Sequence, residues 1–219
     1  MKRIFISCAL FLCTISLSAQ TNMTAKEAAL KIADRILDST TYEFKNTKTG
    51  EVYKSVKKLP LSMDVKVACK YNNWHYTNGV TNIALMELAD KVGDKKYDKY
   101  VLKNMIFVFN EGNLDFFRRQ YDQAFKDGGW NAVRKLSWHM IFRGKRLDDN
   151  GPMGASLIEL QMRHPNEAFL SYVNETADHL NYAEPRLVDG TIARLWPHVN
   201  TIWADDAFMA ISFLARMGK

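Results

Sequence analysis

Three short clusters of aromatic residues, asparagines and aspartates carry side chains that could act on a sugar. They are YNNWHYTNG (71–79), RLDDNG (146–151) and TIWADD (201–206), and an apolar segment accompanies each of them. Aromatic rings beside carboxylates are a common way to hold and attack a sugar ring. One carboxyl group can give and take a proton, while a second polar group places a water molecule.

The elements that must position these clusters are predicted to be helices. Apolar residues recur at helical spacing in seven segments: 24–40, 79–94, 95–110, 113–128, 152–164, 166–183 and 203–219. No run alternates convincingly between apolar and polar residues, so strands should be minor. The least regular part, 40–72, could contain a turn or a short hairpin around Thr49 and Gly50. The predicted fold class is all-α.

A repeat becomes visible when the helices are aligned. The segments NIALMELADKVGDKKY, GASLIELQMRHPNEAF and MAISFLARMGK each contain an apolar helix that ends in a short polar turn, and the first two continue into a second helix. Helical hairpins of this kind stack on one another, because no single unit buries its own apolar face. If the three helices are equivalent in a ring, the three clusters lie around one mouth.

The clusters resemble a known family. The stretches NNWHYTNGV, LDDNGPMGASL and DGTIARLWPHVNTIWADDAFMAISFLARMG are similar to the unsaturated glycuronyl hydrolases of glycoside hydrolase families 88 and 105. The closer likeness is to family 105, the unsaturated rhamnogalacturonyl hydrolases, and it extends from about residue 25 to the end. The resemblance implies an (α/α)6 toroid of six helical hairpins. About seven of its twelve helices are present, so residues 20–219 correspond to the N-terminal part of the toroid, with the C-terminal half of the same fold as the expected partner.

The resemblance also implies a reaction and a substrate. The family acts on oligosaccharides whose non-reducing end carries a 4,5-unsaturated uronic acid, left there by a polysaccharide lyase. An aspartic acid protonates the vinyl ether at C4, water adds at C5, and the hemiketal opens and releases the next sugar. No cofactor is implied.

The family motifs transfer two catalytic roles to this sequence. Asp205, the first aspartate of WADDAF, is the expected acid and base, although an aspartate there could instead cap a helix. Asp206 points about 100° away around the helix and is expected to be structural. Asp149 in LDDNG is the expected second carboxylate, with Asp148 as its closest competitor. Pro152 is predicted to be the first residue of the following helix, which places Asp149 in a loop.

Five further residues are candidates for substrate binding. Trp74, Tyr76 and Asn78 could line the sugar site, although core packing or helix capping would explain them equally well. Arg194 and His198 precede the WADDAF motif and could reach the uronate carboxylate, or be an ordinary solvated arginine and loop histidine. The other four histidines show no metal-ligand spacing, and no metal site is predicted.

The N-terminus is typical of a secretory signal. Lys2 and Arg3 precede an apolar run from Ile4 to about Leu17, and Ala19 is the expected last residue removed. Residues 1–19 are therefore predicted to be a signal peptide, with a secreted or periplasmic mature protein that begins near Gln20 and has no membrane segment. Its removal takes Cys8 and Cys13 away and leaves Cys69 without a disulfide partner.

The charge pattern does not favour nucleic acid as a partner. The net charge is +6 before the signal is removed, and the basic residues are scattered rather than gathered in a stripe. Two alternatives to an unsaturated glycuronyl hydrolase remain open. One is an inactive helical-repeat module that at most binds sugar. The other is a different helical-toroid enzyme, such as an inverting glycosidase or a sugar epimerase.

Overall fold

The computed structural model describes residues 23–143, 147–195 and 198–218. Residues 1–19, the predicted signal peptide, lie outside this part of the chain. The described helices are α1 (Ala25–Asp38), α2 (Tyr76–Val92), α3 (Lys96–Phe109), α4 (Glu111–Val133), α5 (Met140–Arg143), α6 (Leu147–Arg163), α7 (Glu167–Tyr182) and α8 (Ala204–Met217). The strands are β1 (Phe44–Asn46), β2 (Val52–Tyr53) and β3 (Val65–Val67). The all-α prediction is confirmed, and each of the seven predicted segments contains a helix.

The segment between α1 and α2 forms a small antiparallel sheet in the order β2-β1-β3. The β1–β2 hairpin turns at Gly50, which has a φ of 78° that favours glycine, so the predicted hairpin is confirmed. Phe44 of β1 is buried against aromatic rings of α3 and α4. The side chain of Gln120 in α4 donates to the carbonyl oxygen of Val65 at 2.8 Å and fixes the sheet to the helices.

The helices are arranged in two layers. α6 packs between α2 and α8, while α3 packs on α2 and α7 packs on α6. The inner layer is therefore built from the three helices of the sequence repeat, and the outer layer from the second helices of the first two repeats. This is the layering of a toroid of helical hairpins.

Two glycines allow the backbones of neighbouring inner helices to come into direct contact. A Cβ atom on Gly79 of α2 would lie 2.6 Å from the amide nitrogen of Met153, and one on Gly151 of α6 would lie 2.7 Å from the carbonyl carbon of Met209. Real Cβ atoms essentially never come this close to other atoms. Both glycines lie near the starts of their helices, so they set the spacing of the helix ends that carry the clusters.

Two helices begin earlier than the sequence predicted. α6 begins at Leu147 rather than Pro152, so Asp149 lies in the first turn of a helix and not in a loop. Leu147 is buried, and the helix loses only the hydrogen bond that the missing N–H of Pro152 would have made to the carbonyl of Asp148. α2 begins at Tyr76 rather than near Gly79, so its first turn includes residues that were expected in the preceding loop.

One face of α8 is exposed to solvent. Ile211 is 59% exposed, and Leu214 and Met217 are exposed as well. Phe213 of the same helix, in contrast, is fully buried against Gly154 of α6. Because glycine has no side chain, residue 154 leaves the space that the Phe213 ring fills. Among the described residues, no helix has the length and hydropathy needed to cross a membrane.

Candidate active site

The starts of α6 and α8 are joined through one arginine. The guanidinium of Arg194 donates from Nε to both carboxylate oxygens of Asp206, each at 2.8 Å. Its Nη2 donates to Oδ1 of Asp148 at 2.6 Å, and its Nη1 lies 3.3 Å from Oδ2 of the same residue. Arg194 therefore holds one aspartate from each of the LDDNG and WADDAF motifs.

Asp206 is buried and hydrogen-bonded, and its structural role stays a prediction. Its side chain is 4% exposed, and it accepts a hydrogen bond from the backbone N–H of Trp203 at 2.8 Å. This bond returns to the residue before α8 and stabilises the helix start. Asp206 is thus fully engaged by Arg194 and the backbone.

Asp205 has the opposite environment. It lies in the first turn of α8, is exposed, and has no hydrogen-bond or ion-pair partner among the described residues. A carboxyl group in this position is free to contact a substrate. Its assignment as the acid and base stays a prediction.

The LDDNG motif also contains two adjacent aspartates. Asp148 is bound by Arg194, and its side chain is 28% exposed. Asp149 is the next residue in the first turn of α6, and its side chain lies outside what the structure describes. In both motifs, the aspartate predicted to be catalytic is the neighbour of the one that Arg194 holds.

Trp74 belongs to the core in the described part of the chain. It is 1% exposed, and its ring packs edge-on against Tyr172 with centroids 4.7 Å apart. The hydroxyl of Tyr172 donates to Oδ1 of Asn150 at 2.8 Å. Trp74 thus connects the first cluster with the second through packing, which was the alternative to a sugar-binding role.

The remaining candidates lie nearer the surface. Tyr76 is 37% exposed at the start of α2, and its ring lies 4.4 Å from that of His75. Asn78 donates from Nδ2 to the carbonyl of Lys70 at 3.2 Å and lines a pocket of about 260 Å³. His198 is exposed, and its carbonyl accepts from the Thr201 hydroxyl at 2.7 Å.

Sequence reasoning missed a buried histidine–glutamate pair near Arg194 and its two aspartates. Nε2 of His179, near the end of α7, lies 2.7 Å from Oε2 of Glu184. Burial raises the pKa of Glu184, the hydrogen bond from His179 lowers it, and the charges of Asp206 and Asp148 raise it further. The five-residue separation across a helix end gave little sign of this contact. No three His, Cys, Asp or Glu side chains within the described ranges form a group that could hold a metal ion.

Comparison with known proteins identifies the family of the chain. A family model described as Glycosyl Hydrolase Family 88 matches residues 54–219, which include α2 to α8 and all three clusters. A search of curated proteins gives no significant match. Because the matched region covers most of the chain, this glycoside hydrolase belongs to Glycosyl Hydrolase Family 88.

Proposed function

We propose that the protein removes a 4,5-unsaturated uronic acid from the non-reducing end of oligosaccharides that a polysaccharide lyase has produced. The observation that supports this most directly is the contrast within WADDAF. Asp206 is buried and bound by Arg194 and the backbone N–H of Trp203, whereas its neighbour Asp205 is exposed and unpartnered among the described residues. Such a pair provides one fixed anchor and one carboxyl group available for proton transfer.

In the proposed reaction, Asp205 gives its proton to C4 of the vinyl ether. Asp149 helps to place a water molecule, whose oxygen bonds to C5 while its proton passes to a carboxylate. The hemiketal then opens to a ketone at C5, the ring breaks, and the next sugar leaves from C1. No cofactor takes part in these steps.

The substrate contacts are part of the same proposal. Tyr76, Asn78 and His198 reach the surface near the starts of the inner helices and are proposed to contact the sugar. Trp74 would support the site indirectly, as part of the core on which it is built. We also propose that further hairpins of the toroid complete the site, and that the protein is exported through residues 1–19 and acts outside the cytoplasm.

The test uses the ultraviolet absorbance of the conjugated double bond. Unsaturated disaccharides prepared with lyases from several acidic polysaccharides, pectin included, are incubated with the purified protein, and hydrogenated disaccharides serve as the matched control. The proposal expects the absorbance to fall and the saturated compounds to remain intact. Binding without loss of absorbance would favour a sugar-binding module, and cleavage of the saturated compounds would favour an ordinary glycosidase.

A further inference from the structure

Arg194 is mostly buried and makes several contacts, so it is not a free surface arginine. Its side chain is 12% exposed, and its guanidinium lies over the ring of Trp203 at 4.2 Å. Its backbone is fixed as well, because its N–H donates to the carbonyl of Thr201 at 2.8 Å and its carbonyl accepts from Asn200 at 2.9 Å. The segment that leads into α8 therefore presents this guanidinium in one defined position.

The charges around Arg194 oppose a direct role in binding a substrate carboxylate. One cation already faces two carboxylates, Asp148 and Asp206, at 2.6 Å each from Nη2. A third carboxylate would have to displace one of them and would meet their repulsion. Stability alone is also a weak explanation, since a buried ion pair adds little compared with apolar side chains of the same volume.

Each aspartate that Arg194 binds is next in sequence to an aspartate that is predicted to be catalytic. Asp148 precedes Asp149 in the first turn of α6, and Asp206 follows Asp205 in the first turn of α8. Adjacent residues on a helix have a fixed angular relation, so an anchor on one of them fixes the direction of the other. A single guanidinium that holds both anchors therefore fixes one helix start relative to the other.

We propose that Arg194 is a positioning residue, which sets the distance between the helix starts that carry Asp149 and Asp205, and not a ligand of the uronate carboxylate. This inference rests on the proposed function for the identity of the two reacting groups. A displacement of about 1 Å between reacting groups can lower a rate by about 10²-fold. The loss of Arg194 should therefore act on kcat.

The kinetic test compares Arg194→Lys and Arg194→Met with a matched control, Arg216→Met. Arg216 of α8 donates to Glu159 of α6 at 2.8 Å, so it joins the same two helices away from the clusters. Lysine keeps the charge but lacks the fork that reaches two carboxylates. Both Arg194 variants should lower kcat by about 10²-fold with little change in KM, and Arg216→Met should change neither much. An increase in KM at unchanged kcat would identify Arg194 as a substrate ligand and overturn the proposal.

Hydrogen exchange separates this inference from the proposed function, because it needs no activity. In Arg194→Lys, the backbone amides in the first two turns of α6 and α8 should exchange faster than in the wild type. In Arg216→Met, the change should be confined to the later turns. If the wild type proves inactive on every unsaturated disaccharide, the proposed reaction fails and the exchange result alone decides. Unchanged protection at both helix starts in Arg194→Lys would refute the positioning role.

Discussion

Replacement of Gly151 by alanine tests the packing that brings the two aspartate motifs together. The added methyl group would overlap the carbonyl oxygen of Met209 and lie 2.7 Å from its carbonyl carbon. These are backbone atoms of α8, so no side-chain rotation can relieve the overlap. The two helices must separate by about 1 Å, which is enough to disturb the geometry of reacting groups.

The expected cost follows from two opposing effects. Alanine is favoured over glycine inside a helix by about 1 kcal/mol. Overpacking costs about 1–3 kcal/mol, and a contact between backbones belongs at the upper end of that range. The net loss is therefore about 2 kcal/mol in the free energy of unfolding, or about 4–8 °C in Tm for a chain of this length.

The assay is thermal unfolding followed by circular dichroism, with Gly112→Ala as the control. Gly112 also lies in a helix, but its added methyl group would meet only ordinary contacts, at 3.4 Å from Asn110 and 3.5 Å from Val56. That variant should keep or slightly raise its Tm. If Gly151→Ala were as stable as Gly112→Ala, α6 and α8 would not pack as closely as the structure shows, and the argument for a shared site would fail.

Three further predictions concern the site and the surface around it. Asp205→Asn should lower the rate on an unsaturated disaccharide by about 10²–10⁴-fold, the usual contribution of general acid–base catalysis. Asp206→Asn should lower the rate less but should reduce stability. Equal rate losses in the two variants would contradict the roles assigned to them. Burial raises the pKa of Glu184 above its ordinary value. Its contribution to stability is therefore complete below that ordinary value and is lost as the pH rises through the folded-state pKa. Glu184→Gln should flatten this decline in urea unfolding measured across pH, and an unchanged slope would refute it. Ile211 and Leu214 expose an apolar face on α8, which favours self-association. Ile211→Lys should therefore reduce the concentration dependence of the sedimentation coefficient. A wild type that stays monomeric at all concentrations would show that this face does not associate.

Much of the fold could be predicted because apolar spacing reports which residues face the core. The segments around Ile83, Leu157 and Phe213 share one pattern, and these three residues lie in the three adjacent inner helices. The turn at Gly50 could also be predicted, because glycine adopts the positive φ that tight turns require.

Helix starts were harder to predict, because polar first turns carry no apolar periodicity. Tyr76 and Leu147 begin their helices three to five residues before the apolar pattern does. Pro152 suggested a later start because proline is common at the first helical position. In this fold it is buried inside α6, close to Gly79, where packing outweighs the lost hydrogen bond.

The contacts of the candidate site depend on tertiary structure that local patterns do not encode. Arg194 and Asp148 are 46 positions apart in sequence, and nothing in their spacing indicates an ion pair. The sequence did indicate that Asp205 and Asp206 differ, because neighbours on a helix face different directions. It could not indicate which environment each one enters.

Deuterium incorporation at C4 shows whether the reaction transfers a proton to carbon. The reaction is run in D₂O on an unsaturated disaccharide, and the released uronic acid product is analysed by mass spectrometry and NMR at the earliest turnovers. We expect one deuterium bound to C4 and loss of the double bond, and we expect Asp205→Asn to abolish both. Release of a sugar that keeps its double bond and carries no carbon-bound deuterium would contradict it.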